Sequence, residues 1–411
     1  MESDWKRVNF TEVVDINPNV PLIRGKVYPF VDMKSIDENR KYVDIAEFRE
    51  FSGGGSRFLP GDTLMARITP CLENGKTACY RPSTIKDYGE SFGSTEFIVL
   101  RGKKGITSSK FVYYLARWNE FRNFAIGQMT GSSGRQRVPI NSLSDFVFYL
   151  PPLEEQQKIA NILGSLDDKI ELNRQINQTL EAMARAIFKS WFVDFDPVYA
   201  KMEGRDYPLP PEIMDLFPDE LEESELGLIP KGWRVGTVGE EFRITMGQSP
   251  PGNSYNEEGI GIPFFQGRRD FGFRFPKERV YCTEPKRFAK KNDTLVSVRA
   301  PVGDVNMAMD ECCIGRGVAA IRHKTGSSSY TYYSMLRLKE VFNKFEAEGT
   351  VFGSINRVDF ENIITFGSIF NIINTFEKIV NSFDEKIHVN SDQIYTLANL
   401  RDSLMQIFFA H

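Results

Sequence analysis

Two short stretches of the 411-residue chain have residue types that could do chemistry, and both lack part of what that chemistry needs. Asp196-Pro197-Val198-Tyr199 approaches the Asn/Asp-Pro-Pro-aromatic tetrapeptide of a DNA methyltransferase. It lacks the second proline, and it follows a helical pattern where that tetrapeptide follows a strand. Glu284-Pro285-Lys286 has the outer residues of a nuclease Glu-x-Lys, but a proline fills its middle and no Pro-Asp precedes it. The glycine runs Gly53-Gly54-Gly55 and Gly131-Ser132-Ser133-Gly134 do not sit at a strand-to-helix turn, so they make poor phosphate cradles. The five cysteines, Cys71, Cys79, Cys282, Cys312 and Cys313, contain no CxxC pair, and their odd number argues against a disulfide framework. With His323, His388 and His411 as the only histidines, neither a metal site nor a cofactor is expected, and the thiols read as buried and inert.

What remains is chemistry of contact. Base edges are read by forked donors and amides, while Ser, Lys and backbone N–H groups hold phosphates. In the first part of the chain such groups gather at Gln128, Thr130, Ser132, Ser133, Arg135, Gln136 and Arg137, with Arg67, Thr69 and Lys76 as a second patch. In the second part they are Gln266, Arg268, Arg269, Arg299, Arg316, Ser354, Asn356 and Arg357. Any one of these arginines reads equally well as a solvated charge or a local ion pair. Arg137 and Arg357, at matching places, also suit a bracing role between a globular unit and a helix.

The elements that must carry these loops occur twice. Thr130–Val138 aligns without gaps on residues 350–358, and Leu166-Asp167-Asp168-Lys169-Ile170 aligns on Phe383-Asp384-Glu385-Lys386-Ile387. Two copies of one module imply two similar sites. Asp62–Arg67 and Asp293–Val298 read as matching strands, followed by Pro70 and Pro301; Glu96–Leu100 and Gly317–Ile321 form a second matching pair. One amphipathic helix is expected near Lys110–Phe124 and another near Tyr330–Phe345, so each copy is α+β.

Each copy ends in a long helix. Ile373, Phe376, Val380, Phe383, Ile387, Asn390, Ile394, Leu397, Arg401, Leu404 and Phe408 alternate threes and fours over five heptads. The counterpart, 217 residues earlier, runs Gln156, Ile159, Leu163, Leu166, Ile170, Asn173, Asn177, Leu180, Ala184, Ile187 and Trp191. Pro151-Pro152 and Asp196-Pro197 bound the first helix, and Glu154 and Glu155 suit its N-terminal dipole. Some 39 residues make a rod of about 58 Å, longer than one compact domain needs. The two rods are expected to pair as an antiparallel coiled coil with a globular unit at each end, bringing Asn173 and Asn390 together near a two-fold axis. The aromatic helix ends, Phe188, Trp191 and Phe192 with Phe408 and Phe409, are expected either to pack internally or to dock a partner.

The net charge of −4 hides a division. Residues 194–225 carry eleven acidic side chains against two basic ones, so the rest of the chain is +5, with +4 in residues 1–150 and +4 in 231–366. The acidic stretch reads as an exposed linker. No run of 18 apolar residues is present, which leads to the expectation of a soluble, cytoplasmic protein with no membrane partner. The organisation expected is a globular domain over 1–150, a helix over 151–196, a linker over 197–230, a second domain over 231–366 and a last helix over 367–411.

Residues 151–163 (Pro-Pro-Leu-Glu-Glu-Gln-Gln-Lys-Ile-Ala-Asn-Ile-Leu), 166–173 (Leu-Asp-Asp-Lys-Ile-Glu-Leu-Asn) and 187–197 (Ile-Phe-Lys-Ser-Trp-Phe-Val-Asp-Phe-Asp-Pro) resemble the central region of type I restriction-modification DNA specificity subunits. The second copy departs from that motif, with Ser368-Ile369-Phe370-Asn371-Ile372-Ile373 where the first has Pro-Pro-Leu-Glu-Glu-Gln. The resemblance implies two target-recognition domains alternating with two long helices, in a subunit that is not itself an enzyme. Each domain would read one half of a bipartite, asymmetric sequence in double-stranded DNA, and the helices would fix the gap. Two methyltransferase subunits would dock on it, bringing adenine N6 methylation and, through the complex, restriction subunits with ATP-driven cleavage. A coiled-coil protein-binding scaffold and a standalone DNA methyltransferase are the alternatives.

Overall fold

Pro151 and Pro152 close the strand Val147–Leu150, and a 40-residue helix, Leu153–Phe192, starts directly after them with Glu154 and Glu155 in its first turn. A second 40-residue helix spans Phe370–Phe409. The structure, a computed structural model, describes residues 4–82, 89–132, 134–347, 353–367 and 369–410, without the side chains of 346 and 347. It divides into two compact units, Met1–Arg174 with Ser391–His411, and Gln175–Asn390, so each unit contains a segment of both long helices.

In the first unit Asp167 meets Arg401 and Asn173 meets Gln393; in the second Asn177 meets Asn390 and Phe188 meets Phe376. Ascending numbers on one helix match descending numbers on the other, so the segments within each unit are antiparallel. Ile159, Leu163, Ile170, Asn173, Ile373, Phe376, Val380, Ile387 and Asn390 of the apolar seam are buried. Leu166, Leu180, Ile187, Phe383, Ile394, Leu397 and Leu404 are half-buried. The expected pairing of Asn173 with Asn390 is replaced by Asn173 with Gln393 (3.2 Å) and Asn390 with Asn177 (2.8 Å). Asn390 thus pairs one turn beyond the expected residue, because close packing of the apolar neighbours sets the stagger and the amides take the partners it offers.

The first unit holds a five-stranded sheet in the order Val14–Ile16, Phe97–Gly102, Thr63–Ala66, Thr77–Tyr80, Tyr42–Val43. A four-stranded sheet, Glu47–Glu50, Val27–Val31, Ser91–Gly93, Ser56–Phe58, accompanies it. The second unit repeats the plan, with Phe242–Met246, Val318–His323, Thr294–Ser297, Val305–Met307 as one sheet. Its other sheet runs Tyr255–Asn256, Tyr281–Cys282, Ile262–Phe265, Cys312–Ile314, Phe288–Ala289. The repetition extends to register. Phe97, Ile98, Val99 and Leu100 face Ala66, Met65, Leu64 and Thr63; Val318, Ala319, Ala320 and Ile321 face Ser297, Val296, Leu295 and Thr294. Matching ion pairs brace both sheets, Arg101 on Asp62 (2.6 Å) and Arg322 on Asp293 (2.5 Å). Matching capping boxes, Asn9 with Glu12 and Thr237 with Glu240, start the short helices Phe10–Val13 and Val238–Glu241.

Two expectations about local structure are corrected. Each unit has a bent pair of helices in place of one, Ser109–Arg117 with Asn119–Gly127, and Ser328–Arg337 with Lys339–Ala347. The break falls at buried Trp118 and buried Leu338, whose side chains belong to the core while the chain bends around them. The acidic stretch is no exposed linker. It forms a helix, Asp196–Glu203, a turn of helix, Pro211–Met214, and a hairpin, Leu221–Ser224 with Gly227–Pro230. Val198, Phe217 and Ile229 are buried with Trp191 and Trp233 in the core of the second unit. Charge content hid this, because the acidic side chains are mostly exposed while a few apolar ones among them are buried.

Candidate nucleic-acid interface

In the first unit the strand Thr63–Ala66 runs into a loop that is clipped to the chain around Gln136. The amide of Val138 donates to the carbonyl of Arg67 (2.9 Å), the amide of Thr69 donates to that of Gln136 (3.0 Å), and Thr130 and Arg137 exchange both backbone bonds. Gly131 (φ +123°) and Gly134 (φ +80°) take the left-handed backbone that closes the turn. The two patches separated in the sequence, Arg67 with Thr69 and Thr130 with Gln136 and Arg137, therefore form one rim.

Their side chains differ in availability. Ser132 and Arg135 are exposed at the tip and Gln136 is half-exposed, whereas Ser133 lies outside the described residues. Arg67 donates to the carbonyl of Val138 (3.0 Å) and Lys76 to that of Met33 (3.0 Å), while the Thr69 hydroxyl rests on Met129 (3.4 Å). Gln128 caps the C-terminus of Asn119–Gly127. Arg137 grips Glu96 through Nε (2.9 Å) and Nη2 (2.7 Å), and the guanidinium holds the Glu96 carboxyl below its usual range.

The second unit makes the same clip. The amide of Ala300 donates to Gly353 (3.0 Å) and that of Ile355 to Val298 (3.0 Å), with Arg299 bridged to Ser354. Gly353, Ser354 and Ile355 thus take the places of Gln136, Arg137 and Val138, an offset of 217 residues shared with the long helices. The equivalent of Arg137 is Ser354, and the matching of Arg137 with Arg357 is corrected. Arg357 starts the helix Arg357–Glu361 and pairs with Glu361 (2.7 Å), while Asn356 caps it by accepting from the amide of Asp359 (3.0 Å). Both are occupied with local helix structure.

Gln266, Arg268, Arg299, Arg316 and Ser354 come together on a rim of their own. The amide of Gly317 donates to the carbonyl of Gln266 (3.1 Å), so close that a Cβ at 317 would lie 2.4 Å from that oxygen. Arg268 pairs with Asp304 (2.6 Å), whose amide donates to the Ser297 hydroxyl (2.9 Å) at the end of the strand leading to Arg299. Arg269, Arg299 and Arg316 are exposed, and among the described residues no carboxylate pairs with them. Unpaired guanidiniums on a rigid rim suit phosphates and guanine edges. Sequence reasoning missed Glu96 and Asp304, the carboxylates that order these rims. They stand 41 and 36 residues from the arginines they hold, and no local pattern marks them.

Of the two expectations for the aromatic helix ends, internal packing is what the structure has. Phe188, Trp191 and Phe192 are buried in the core of the second unit among Tyr330, Tyr333 and Phe376. Phe409 is buried in the first, stacked on Phe111 (5.1 Å) and Trp118 (5.5 Å), and Phe408 is half-buried beside it. These rings pack against the bent helix pairs, and truncating a buried one would cost about 3–5 kcal/mol.

Neither stretch that approached a catalytic motif is arranged as one. Pro197 opens a helix, and Glu284 and Lys286 lie exposed in a loop. Among the described residues no group of three His, Cys, Asp or Glu side chains could hold a metal ion, and no helix is long and apolar enough to cross a membrane. All five cysteines are free, with burial pushing the Cys79 thiol up to about 11 and Cys312 to about 12.

A family model described as the type I restriction modification DNA specificity domain matches residues 2–182. The MjaX type I restriction enzyme specificity subunit of Methanocaldococcus jannaschii is 32% identical over 88% of this chain and 82% of its own length. The HindI specificity subunit of Haemophilus influenzae is 26% identical over 98% of both. The crystal structure of the type I restriction-modification S subunit from M. genitalium, 14% identical, shares the fold with a TM-score of 0.55 over 99% of this chain and 96% of that one.

Proposed function

Because the chain belongs to the family of type I restriction-modification DNA specificity subunits, non-catalytic components of their complexes, we propose that it reads a bipartite, asymmetric target in double-stranded DNA. One half-site falls to the domain at 1–150 and the other to the domain at 231–366, with the acidic segment of 197–230 built onto the latter. The observation that carries this reading is the pair of clipped rims. Residues 67–69 with 136–138 and residues 298–300 with 353–355 share one backbone arrangement, yet carry different side chains, Gln136 with Arg137 held by Glu96 in one case and Arg299 with Ser354 in the other. One scaffold with different side chains is what two unlike half-sites require.

Two methyltransferase subunits, and restriction subunits through them, would dock on the chain. With the aromatic helix ends buried, the outward faces of the long helices offer apolar side chains for docking. Ile162, Leu172 and Met183 on the first and Val389, Tyr395, Leu400 and Ile407 on the second are each at least 45% exposed. Purification with a co-expressed methyltransferase, followed by sequencing of methylated sites, tests the assignment. A complex that methylates a split target is expected, with no activity from the chain alone. Methyl transfer by the isolated chain would overturn it.

A further inference from the structure

Arg274 is 1% exposed, one of the largest fully buried side chains of the protein. It belongs to the segment between Phe265 and Tyr281, whose exposed start carries Gln266, Arg268 and Arg269. Its guanidinium bonds Glu181 on the first long helix and donates to the Tyr333 hydroxyl (2.7 Å). It also lies 3.0 Å from the carboxylate of Asp384 on the second long helix and 4.0 Å over the ring of Tyr332. Arg185 holds the other oxygen of Glu181 (2.8 Å), so two guanidiniums balance two carboxylates.

Between its exposed start and this anchor the segment is tied at every few residues. The amide of Lys277 donates to Asp270 (2.7 Å), the amide group of Asn306 to Gly272 (3.1 Å), and the amide of Met307 to the carbonyl of Arg274 itself (2.9 Å). An apolar side chain would fill the same space without the desolvation that a buried guanidinium suffers. What the guanidinium adds is direction, since Nη2 bonds Glu181 and Tyr333 while Nη1 faces Asp384, and few orientations of the planar group meet both helices at once.

The first unit has a weaker form of the same device. The segment between Val31 and Tyr42 sends Arg40 to Glu171 (2.9 Å) and Lys41 to within 3.9 Å of Asp168 and 5.5 Å of the Tyr114 ring. Tyr114 donates to Asp167 (2.7 Å), the residue that stands where the second unit has Asp384. The same segment supplies, through Met33, the carbonyl that holds Lys76.

We propose that Arg274 is a positioning residue for recognition of the second half-site: it locks the segment that carries Gln266, Arg268 and Arg269 to the long helices, and Arg40 with Lys41 does the same for the first half-site. The inference rests on the DNA-reading function above. Its test uses the full chain in complex with its methyltransferase and reads the methylated sequences. Arg274→Met is expected to relax base preference at one or more positions of the second half-site by at least about tenfold, a discrimination the size of one good base contact. The first half-site should stay strict. Arg274→Lys, which keeps the charge without the fork, should fall between Met and wild type. Arg40→Ala with Lys41→Met should relax the first half-site and leave the second strict. A folded Arg274→Met chain with an unchanged second half-site would overturn the proposal, as would equal loss at both half-sites. If Arg274→Met does not fold, an unchanged pattern in Arg274→Lys does the same. A wild-type complex that methylates no split target would overturn the reading on which the inference stands, whatever Arg274 does.

Discussion

Arg137 and Glu96 form a two-pronged ion pair, Nε at 2.9 Å and Nη2 at 2.7 Å from the carboxylate, in the middle of the rim proposed to face DNA. The arginine is 43% exposed and the glutamate 23%, so the pair sits at the boundary with solvent, where each partner can be exchanged for a ligand.

If Glu96 holds Arg137 away from phosphates, Glu96→Gln should release it. The expected result is tighter nonspecific DNA binding at low salt, with the slope of log affinity against log salt steeper by about 0.9, one added phosphate contact. Arg137→Ala should change affinity little. Fluorescence anisotropy over a salt series measures both, and loss of target specificity in Arg137→Ala would mean that the arginine leaves Glu96 to read a base.

Asn390 donates to the side chain of Asn177 at 2.8 Å, and both are buried between the long helices of the second unit. Changing either alone to Leu removes this bond and sets a buried amide against an apolar side chain, a cost of about 1–3 kcal/mol, whereas changing both restores an apolar seam. The unfolding midpoint should fall in each single variant and recover in the double. A double variant no more stable than the singles would show that the amides do more than satisfy each other.

His323 is buried, and burial lowers its pKa to about 4, with Lys324 acting in the same direction. Its Nδ1 accepts from the amide of Thr325 (3.2 Å), which suits the neutral ring. A base whose folded pKa lies below its unfolded value of about 6.5 favours folding fully above pH 6.5. That stability is lost as pH falls from 6.5 towards 4, on the order of 3 kcal/mol in all. His323→Gln should flatten the pH dependence of thermal stability across this window and leave its more acidic part in place. Parallel curves for the two proteins would place the acid sensitivity elsewhere.

The pairings of Asn177 with Asn390 and Phe188 with Phe376 set which positions of the long helices face each other, and counting from them puts Thr179 level with residues 385–388. Four residues inserted after Thr179 and four after Lys386 lengthen both helices by about 6 Å and add about 40° of rotation. With base pairs about 3.4 Å apart, the preferred gap between half-sites should grow by one or two base pairs while the half-sites stay the same. Methylation-site sequencing reads the gap directly, and an unchanged gap would mean that the helices do not set it.

The long helices, the duplication and the strands at Thr63–Ala66 and Thr294–Ser297 were legible in the residues because each rests on local periodicity or on self-similarity of the chain. Periodicity marks which face of a helix is apolar, and prolines mark where it starts. It does not say which turn of one helix meets which turn of the other, and so Asn390 lies on Asn177 where symmetry alone pointed to Asn173. The same limit applies to charge. Arg137, Arg268 and Arg274 look alike along the chain, yet Glu96 binds the first, Asp304 the second, and Glu181 with Asp384 encloses the third. Those carboxylates arrive from 36 to 110 residues away, so whether a guanidinium is free for DNA, braced at a rim or buried as an anchor depends on long-range packing, which leaves no trace in the neighbouring residues.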